Sequence, residues 1–536
     1  MISSILKKVR FQKMMKQSEK QDSKNGKEDE QTENVIKGNL EEDIGTLRSI
    51  LGDSSDLIIR KFIFGKHIEA AIIYIDGLID KTLVNENIMK PLMYINNLES
   101  GELPKSIDID YVKSELLFVG SIDGKNSINE IVFKIVSGDT IFLMDGEKEA
   151  LVISLLGWKT RGIEEPKTES VVRGPREGFT ETMRFNTAML RRKIKNPDLR
   201  FETLTIGERT KTDVCIAYIK GLTDPKLIEE IRQRLMRIKT DAILESGYIE
   251  QYIEDSPFSI FPTIANSEKP DKVAAKMLEG RAAILVDGTP FVLTVPMLFI
   301  ESFQSSEDYY SRPYFSSMIR ILRVIAFFLS ILAPAAYVAL STFHQELIPT
   351  PLLLSMAAAH EGVPFPSAVE AGVMLVFFEI LREAGVRLPR PIGQAVSIVG
   401  ALVIGESAVS AGIIGAPMVI VVAITAVSSF AVPPQTDSGA IIRFVLLILA
   451  GFMGGFGIAI GLFALFIHMA KLRSFGTPYL LPLAPLDKSG LKDTLVRTSI
   501  WSLRKRPLGM SLDDIRQEGS LKPSLSKDDV NVPEGN

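Results

Sequence analysis

The chain has 536 residues, a formal net charge of −4 and a hydrophobic fraction of 46%. This length exceeds what one hydrophobic core supports, so we expect at least two domains. The single cysteine, Cys215, excludes an intrachain disulfide, and the four histidines lie too far apart in sequence to form a zinc motif. The totals for the whole chain average over two different regions, because residues 1–310 carry most of the charge and residues 324–468 carry very little.

Residues 1–45 are predicted to lack a packed core. Residues 1–16 contain scattered basic side chains and no long apolar run, so we predict no secretory signal. They form either a basic amphipathic helix on anionic lipid or a frayed, solvated start. Residues 17–34 are charged and nearly free of apolar side chains, which predicts a disordered tether.

The polar half repeats itself. The segments AAIIYIDGLIDK (70–81) and VCIAYIKGLTDP (214–225) match in their Tyr, Gly and Asp positions at an offset of 144 residues. Further on, GDTIFLMDGEKEALVI (138–153) and GRAAILVDGTPFVLTV (280–295) each place Asp-Gly seven residues after a glycine, at an offset of 142. Blocks that recur in the same order indicate a duplicated unit.

The repeated unit is predicted to have an α+β fold. Apolar runs broken by Asp-Gly are typical of β-hairpins, and LIEEIRQRLMRI (227–238) has helical spacing. We therefore predict two tandem related α/β units over residues 46–165 and 166–300, followed by a connector over 301–318.

Nothing in these units indicates an enzyme. They contain no P-loop, no dinucleotide fingerprint and no defensible pair of catalytic carboxylates, and we predict no cofactor. The basic stretch 183–200 indicates a solvated or lipid-facing surface rather than a nucleic-acid site. A cleft between the two units remains possible as a small-ligand site.

Residues 319–470 are predicted to form an α-helical multi-span membrane domain. Residues 324–340 carry no charge, 391–436 are long enough for two crossings, and 444–467 supply another span. Residues 366–386 are helical in period but charged, so we predict a non-crossing or re-entrant element there. The prediction is four crossings plus this one element.

Basic residues flank both ends of the membrane domain. Arg312, Arg320 and Arg323 precede the first span, and Lys471 follows the last one at the start of a tail over 471–536. Because basic residues concentrate on the cytoplasmic side, we predict that both termini are cytoplasmic, which requires an even number of crossings.

Several charges fall within or beside the spans. Glu370 and Glu379 are nine residues apart, which places them on opposite sides of a helix. Glu379 shares a face with Arg382 and Glu383, so a local salt-bridged face is an alternative to a functional role.

Small residues line one helix face at the start of residues 391–436, in the second predicted crossing. Gly393, Ser397, Ala401 and Gly405 recur every four residues, with Gly400 beside them, and such stripes let helices pack closely in lipid. The next residue, Glu406, either faces an ion path or is a structural group at a helix break. A ring of such carboxylates around a pore would favour cations.

Five sequence blocks stand out: RGPREGF (173–179), FHQELIPTPLLLSMAAAHEGVPFP (343–366), EILREAGVRLPRPIGQ (379–394), IVGALVIG (398–405) and FGTPYLLPLAPL (475–486) with LKDTLVR (491–497). Over roughly residues 45–510, these blocks resemble the A subunits of GerA-type spore germinant receptors. His360 and Glu406 stand where that family often has arginine and glutamine.

The resemblance implies an integral protein of the spore inner membrane. It implies partnership with a transporter-like, nutrient-binding B subunit and a lipoprotein C subunit, and self-association as a pentamer into a ligand-gated cation pore. A departure at Glu406 implies that a charge at this position is not required by the family's mechanism.

The leading hypothesis is thus a gated channel subunit whose membrane domain lines a cation pore. A secondary transporter or permease is the first alternative, since glycine-broken helices with intramembrane carboxylates also occur there. A non-conducting membrane scaffold is the second alternative.

Overall fold

The computed structural model describes residues 35–65, 67–95, 107–157, 165–166, 168–387, 405–487, 490–507, 509–512 and 515–516. Four of the residues predicted to pack helices or line a pore lie outside these ranges: Gly393, Ser397, Gly400 and Ala401. The chain divides into two compact units, one comprising residues 1–161 with 194–200 and the other comprising 162–193 with 201–536.

The first unit is built on a five-stranded antiparallel sheet in the order β1-β2-β4-β5-β3. Its central strands are apolar on both faces and buried. The strands are β1 (Leu57–Phe64), β2 (Ile68–Ile75), β3 (Ile122–Lys125), β4 (Thr140–Met144) and β5 (Ala150–Ile153). The helices are α1 (Leu40–Leu51), α2 (Lys81–Val84), α3 (Lys90–Tyr94), α4 (Ile109–Tyr111) and α5 (Ile128–Ser137), with π-helical turns at Asn85–Met89 and Val112–Leu116.

The second unit contains a sheet of the same design, in the order β6-β7-β9-β10-β8. Its core is again aliphatic, with strands β9 and β10 fully buried. The strands are β6 (Leu199–Ile206), β7 (Thr212–Ile219), β8 (Ala265–Ser267), β9 (Ala282–Val286) and β10 (Val292–Val295). The helices around it are α6 (Met183–Lys193), α7 (Pro225–Met236), α8 (Ser246–Ile253) and α9 (Pro270–Met277).

The same side-chain chemistry recurs in both sheets. Asp145 in the β4–β5 hairpin accepts a hydrogen bond from the Leu40 amide at the start of α1, at 3.0 Å. Asp287 in the β9–β10 hairpin accepts one from the Met183 amide at the start of α6, also at 3.0 Å. The predicted duplicated α+β fold is therefore confirmed.

A helical bundle follows the second sheet within the same unit. Two stretches, Pro313–Thr342 and Pro433–Lys471, are long and apolar enough to cross a membrane. The helices are α10 (Glu307–Tyr310), α11 (Pro313–Thr342), α12 (Thr350–His360), α13 (Ser367–Arg387), α14 (Ala416–Ser429) and α15 (Thr436–Lys471), with residues 405–410 also helical. Short 3₁₀ turns lie at Phe299–Phe303, Gln345–Leu347, Pro433–Gln435, Gly490–Asp493 and Ile500–Ser502.

Helix α15 is folded back on itself, which corrects the prediction of one span over 444–467. Gly454 has a non-helical backbone (φ 56°, ψ −138°) that divides α15 into two arms. A Cβ on Gly461 would lie 2.6 Å from Leu446 Cδ2, and one on Gly457 would overlap Leu449 O. Residues on either side of Gly454 are thus in contact, and the glycines let the two arms pack closely.

Both ends of this hairpin lie beside the second sheet's connections. Ser438 Oγ donates to Ile260 O at 2.5 Å, and His468 Nε2 lies 3.1 Å from Ser259 Oγ. We call this the near end of the bundle. The far end contains Gly454, whose Cβ position would lie 2.7 Å from Phe343, the residue that follows α11.

The chain after α15 returns to the second sheet instead of trailing away. Strands β11 (Arg473–Ser474) and β12 (Thr477–Pro478) form a short hairpin. Ser474 Oγ accepts from the Met297 amide at 2.9 Å and donates to Thr263 O at 2.6 Å. Tyr479 is fully buried against Phe261 and Phe299.

Candidate functional site

The far half of the bundle encloses a polar network around Glu370. This residue is 1% exposed; its Oε1 lies 3.1 Å from His360 Nδ1 and its Oε2 accepts from the Gly415 amide at 2.9 Å. The other ring nitrogen of His360 lies 3.0 Å from Tyr337 Oη. A carboxylate taken out of water needs such partners, so the network joins α11, α12 and α13 to the start of α14.

A second polar cluster lies at mid-height, around Glu379. Its Oε2 lies 2.9 Å from Arg382 Nη2 and its Oε1 3.4 Å from Arg443 Nη1. Arg443, on the first arm of α15, is 1% exposed and lies 5.8 Å from the Phe378 ring centroid. Its Nε and Nη2 have no hydrogen-bond partner within the described part of the chain. A buried arginine in an apolar bundle marks this level as a functional candidate.

Gly405 and Glu406 are the two predicted pore or packing residues that the structure describes. Gly405 is buried, and a Cβ there would lie 3.3 Å from Val419 Cγ1 on α14. Glu406 is exposed on the surface of the bundle. A larger side chain at residue 405 would therefore force helix α14 away, whereas Glu406 forms no ion pair with any residue that the structure describes.

A third cluster fixes the near end of α11. Arg320 is fully buried; its Nε lies 2.9 Å from Asp308 Oδ2 and its Nη1 2.7 Å from Asp493 Oδ1. Tyr309 donates to Asp493 Oδ2 at 2.7 Å, and burial together with the Asp493 charge raises the pKa of this phenol. Asp493 belongs to LKDTLVR, so this family-like block holds the base of the first long helix.

A fourth cluster joins the second sheet to the connector that leads to α11. Arg281 is 1% exposed and forms ion pairs with Glu301 and, at 3.3 Å, with Glu279. Burial alone would raise the pKa of Glu279, but the charges of Lys276 and Arg281 outweigh it and lower the pKa. These paired charges hold the connector against strand β9.

Sequence reasoning identified only part of these clusters. It singled out Glu370, Glu379 and Arg382, and it placed Arg320 only as a flanking basic residue. It missed Arg443 and the histidine partner of Glu370. The available signal for Arg443 was one arginine at the start of an otherwise uncharged run.

The fold and its polar clusters define a class: a membrane protein with a duplicated α+β domain and a helical bundle whose interior carries ion pairs. The family model described as "Bacillus/Clostridium GerA spore germination protein" matches residues 45–508. The chain belongs to this family, the A subunits of spore germinant receptors, which is a family of receptors and not of enzymes. The resemblance seen in the sequence is confirmed.

Individual relatives agree with this assignment. Spore germination protein KA of Bacillus subtilis is 47% identical, over 93% of this chain and 92% of that protein. The uncharacterized membrane protein YfkQ of Bacillus subtilis is 44% identical, over 88% of this chain and 91% of that protein. A crystal structure of the N-terminal domain of the A subunit of the Bacillus megaterium spore germinant receptor GerK3 is 38% identical, covering 50% of this chain and 99% of that one, with a TM-score of 0.41.

Proposed function

We propose that this A subunit oligomerises into a ligand-gated cation channel of the spore inner membrane, and that the bundle forms its pore. The observation that carries the proposal is Glu406, an exposed carboxylate beside a buried glycine on a bundle whose outer surface carries many large apolar side chains. A charge facing hydrocarbon is costly, by about 2.5 to 3.5 kcal/mol on insertion scales, so Glu406 faces water.

Assembly around a lumen supplies that water. Large apolar side chains such as Phe452 and Phe463 cover the outside of the α15 hairpin and suit lipid or a neighbouring subunit. A closed ring, which we propose to be a pentamer, brings one Glu406 from each copy to the same level. Such a carboxylate ring attracts cations and repels anions.

The direction of α13 bears on the number of crossings. Its start packs at the far end, since a Cβ on Gly451 would lie 3.2 Å from Ala368 Cβ, and its Glu379 reaches Arg443 near the middle of the first arm of α15. Helix α13 thus runs along the arm instead of across it. We propose that it crosses the membrane, in place of the non-crossing element that the sequence indicated, with both chain termini on the cytoplasmic side.

The partners follow from the family. We propose that a transporter-like B subunit binds the nutrient, that a lipoprotein C subunit completes the receptor, and that the α+β units relay the signal to the bundle. The second sheet supports this role, because the Arg281 and Arg320 clusters tie it to the base of α11.

The test compares two substitutions at one residue. Gly405→Leu should abolish nutrient-triggered potassium release from spores, because the leucine side chain cannot fit beside Val419. Gly405→Ala, which needs a shift of only a few tenths of an ångström, should retain most of it. Normal potassium release by the leucine variant, at normal protein level, would contradict a pore in this region, and release that saturates with a transported substrate would favour the permease alternative.

A further inference from the structure

A cleft of about 630 Å³ opens at the near end of the bundle, where the second arm of α15 ends. Its walls come from the first turns of α7, the segment after α8, the β11–β12 hairpin and tail residues Gly509 and Met510. Lys471, the last residue of α15, lines it directly after an apolar arm. Basic residues at the end of an apolar membrane helix are typical of the level where the phosphates of a leaflet are found.

The acidic side chains in the cleft are already engaged. Asp224 caps α7 by accepting from the Lys226 amide at 2.9 Å. Glu230 and Asp255 both bind Arg234, at 2.8 and 2.5 Å, and Arg234 stacks over the Phe475 ring at 4.4 Å. Arg234 balances only one of these three carboxylates, and the cleft as a whole is lined by four cations and three carboxylates, a net charge of +1.

Three further cations line the same cleft. Lys226, Lys471 and Arg473 line it and make no ion pair with any residue in the described ranges. Arg473 makes one contact to a backbone carbonyl, that of Gly476 at 3.3 Å. Exposed cations that line one cleft and form no ion pairs have donors available for an anion.

We propose that this cleft binds the headgroup of an anionic phospholipid, with Lys226, Lys471 and Arg473 on the phosphate. Phe258, which is 99% exposed and next to Ser259 at the end of α15, lies where an aromatic side chain enters the interfacial layer. The bound lipid would join α7, the end of α15 and the tail. This inference does not depend on channel activity.

The test uses the full-length protein in lipid nanodiscs and follows its thermal unfolding. Phosphatidylglycerol nanodiscs should raise the unfolding temperature above that in phosphatidylcholine nanodiscs, while inorganic phosphate added to the phosphatidylcholine sample should not. Native mass spectrometry should detect retained phosphatidylglycerol, and each cation removed should weaken retention about five-fold, the effect of one basic residue near an anionic surface.

The variants are Lys226→Gln and the double variant Lys471→Gln with Arg473→Gln; the control is Lys239→Gln, an exposed lysine of the same unit that is not in the cleft. If the double variant does not fold, the comparison of Lys226→Gln with Lys239→Gln alone decides the outcome. Equal stability in both lipids, or equal loss of retention in Lys226→Gln and Lys239→Gln, would overturn the proposal. A rise with inorganic phosphate alone would show a site for a soluble anion instead of a lipid.

Discussion

The two sheets have the same strand order, but one end of each sheet is completed by a different part of the chain. In the first unit, Ile79 forms a β-bridge with Leu156, and the Gly157 amide donates to Leu78 O at 3.3 Å. In this unit, the residues that close this end of the sheet follow directly after β5.

In the second unit, the matching residues are bound by the distant tail. Thr223 bridges to Ser511, and the Leu512 amide donates to Leu222 O at 2.9 Å. Leu298, the counterpart of Leu156, instead enters the 3₁₀ turn Phe299–Phe303 that leads to the bundle. The two units thus share a fold but differ in the segment that follows β5 or β10. In the first unit this segment closes the end of its own sheet, whereas in the second unit it leads to the helical bundle and the tail closes the sheet instead.

The largest expected effect comes from the buried charges of that connection. Arg281→Met leaves the buried Glu301 and Glu279 with Lys276 as their remaining partner, at 3.2 and 3.7 Å, and we expect a loss of about 3 kcal/mol in unfolding free energy. The counterpart in the first unit, Asp139→Asn, weakens a pair whose Lys134 is 36% exposed, with an expected loss of about 1 kcal/mol.

Thermal unfolding of both full-length variants measures this difference. Equal shifts in the two variants would mean that the two units are equivalent in spite of their different connections.

A smaller, local effect is expected at two glycines with positive φ. Gly138 (φ 103°) and Gly280 (φ 96°) occupy matching positions, and alanine is strained at both, at a cost of about 1 kcal/mol. A Cβ at residue 138 would meet the flexible Leu156 side chain at 2.8 Å, whereas one at residue 280 would overlap the Met510 backbone and lie 2.6 Å from Ser511 Cβ.

We therefore expect Gly280→Ala to release the tail and Gly138→Ala to leave it docked. Limited trypsin digestion at the RKR segment 504–506 should be faster in the Gly280 variant only. Similar digestion of both variants would contradict the docking of the tail on the second sheet.

Much of the duplicated fold could be predicted, because its signals are local. The dipeptides Asp145-Gly146 and Asp287-Gly288 predict the β4–β5 and β9–β10 hairpins, and Gly288 has the positive φ that such a turn requires. The hairpin at Gly454 was missed because a glycine inside an apolar run leaves the hydrophobic pattern unbroken. The docking of residues 511–512 was missed because their partners lie hundreds of residues earlier in the chain.

The candidate site was predicted only where charge broke an apolar pattern. Glu370 was singled out for this reason. Its partner His360 lies on another helix, and the turn between the two helices has no periodic sequence pattern from which their contact could be predicted. Arg443 and Glu379 are 64 residues apart, so only the packing of α13 on α15 brings them together.

The smallest expected effect is a pH dependence that belongs to the second unit. Burial, together with Glu254 and Glu245, raises the pKa of Glu250 on α8 to about 7. Because the folded protein binds this proton more tightly than the unfolded chain, stability should fall as pH rises from about 4.5 to 7.

Glu250→Gln should remove this slope and stabilise the protein above pH 7. We expect a gain on the order of 1 kcal/mol, which is less than the pKa shift alone would give, because the side chain is partly exposed and water screens its charge. Unfolding temperatures measured across this range test the effect. An unchanged slope in the variant would assign the pH dependence to other groups.

The central claim is that this A subunit forms the pore. Its most direct test is to reconstitute the full-length chain, alone and with its partner subunits, in planar bilayers and record single-channel currents. The account predicts cation-selective currents whose selectivity falls in Glu406→Gln. Folded, membrane-inserted protein that conducts no ions in either preparation would contradict it.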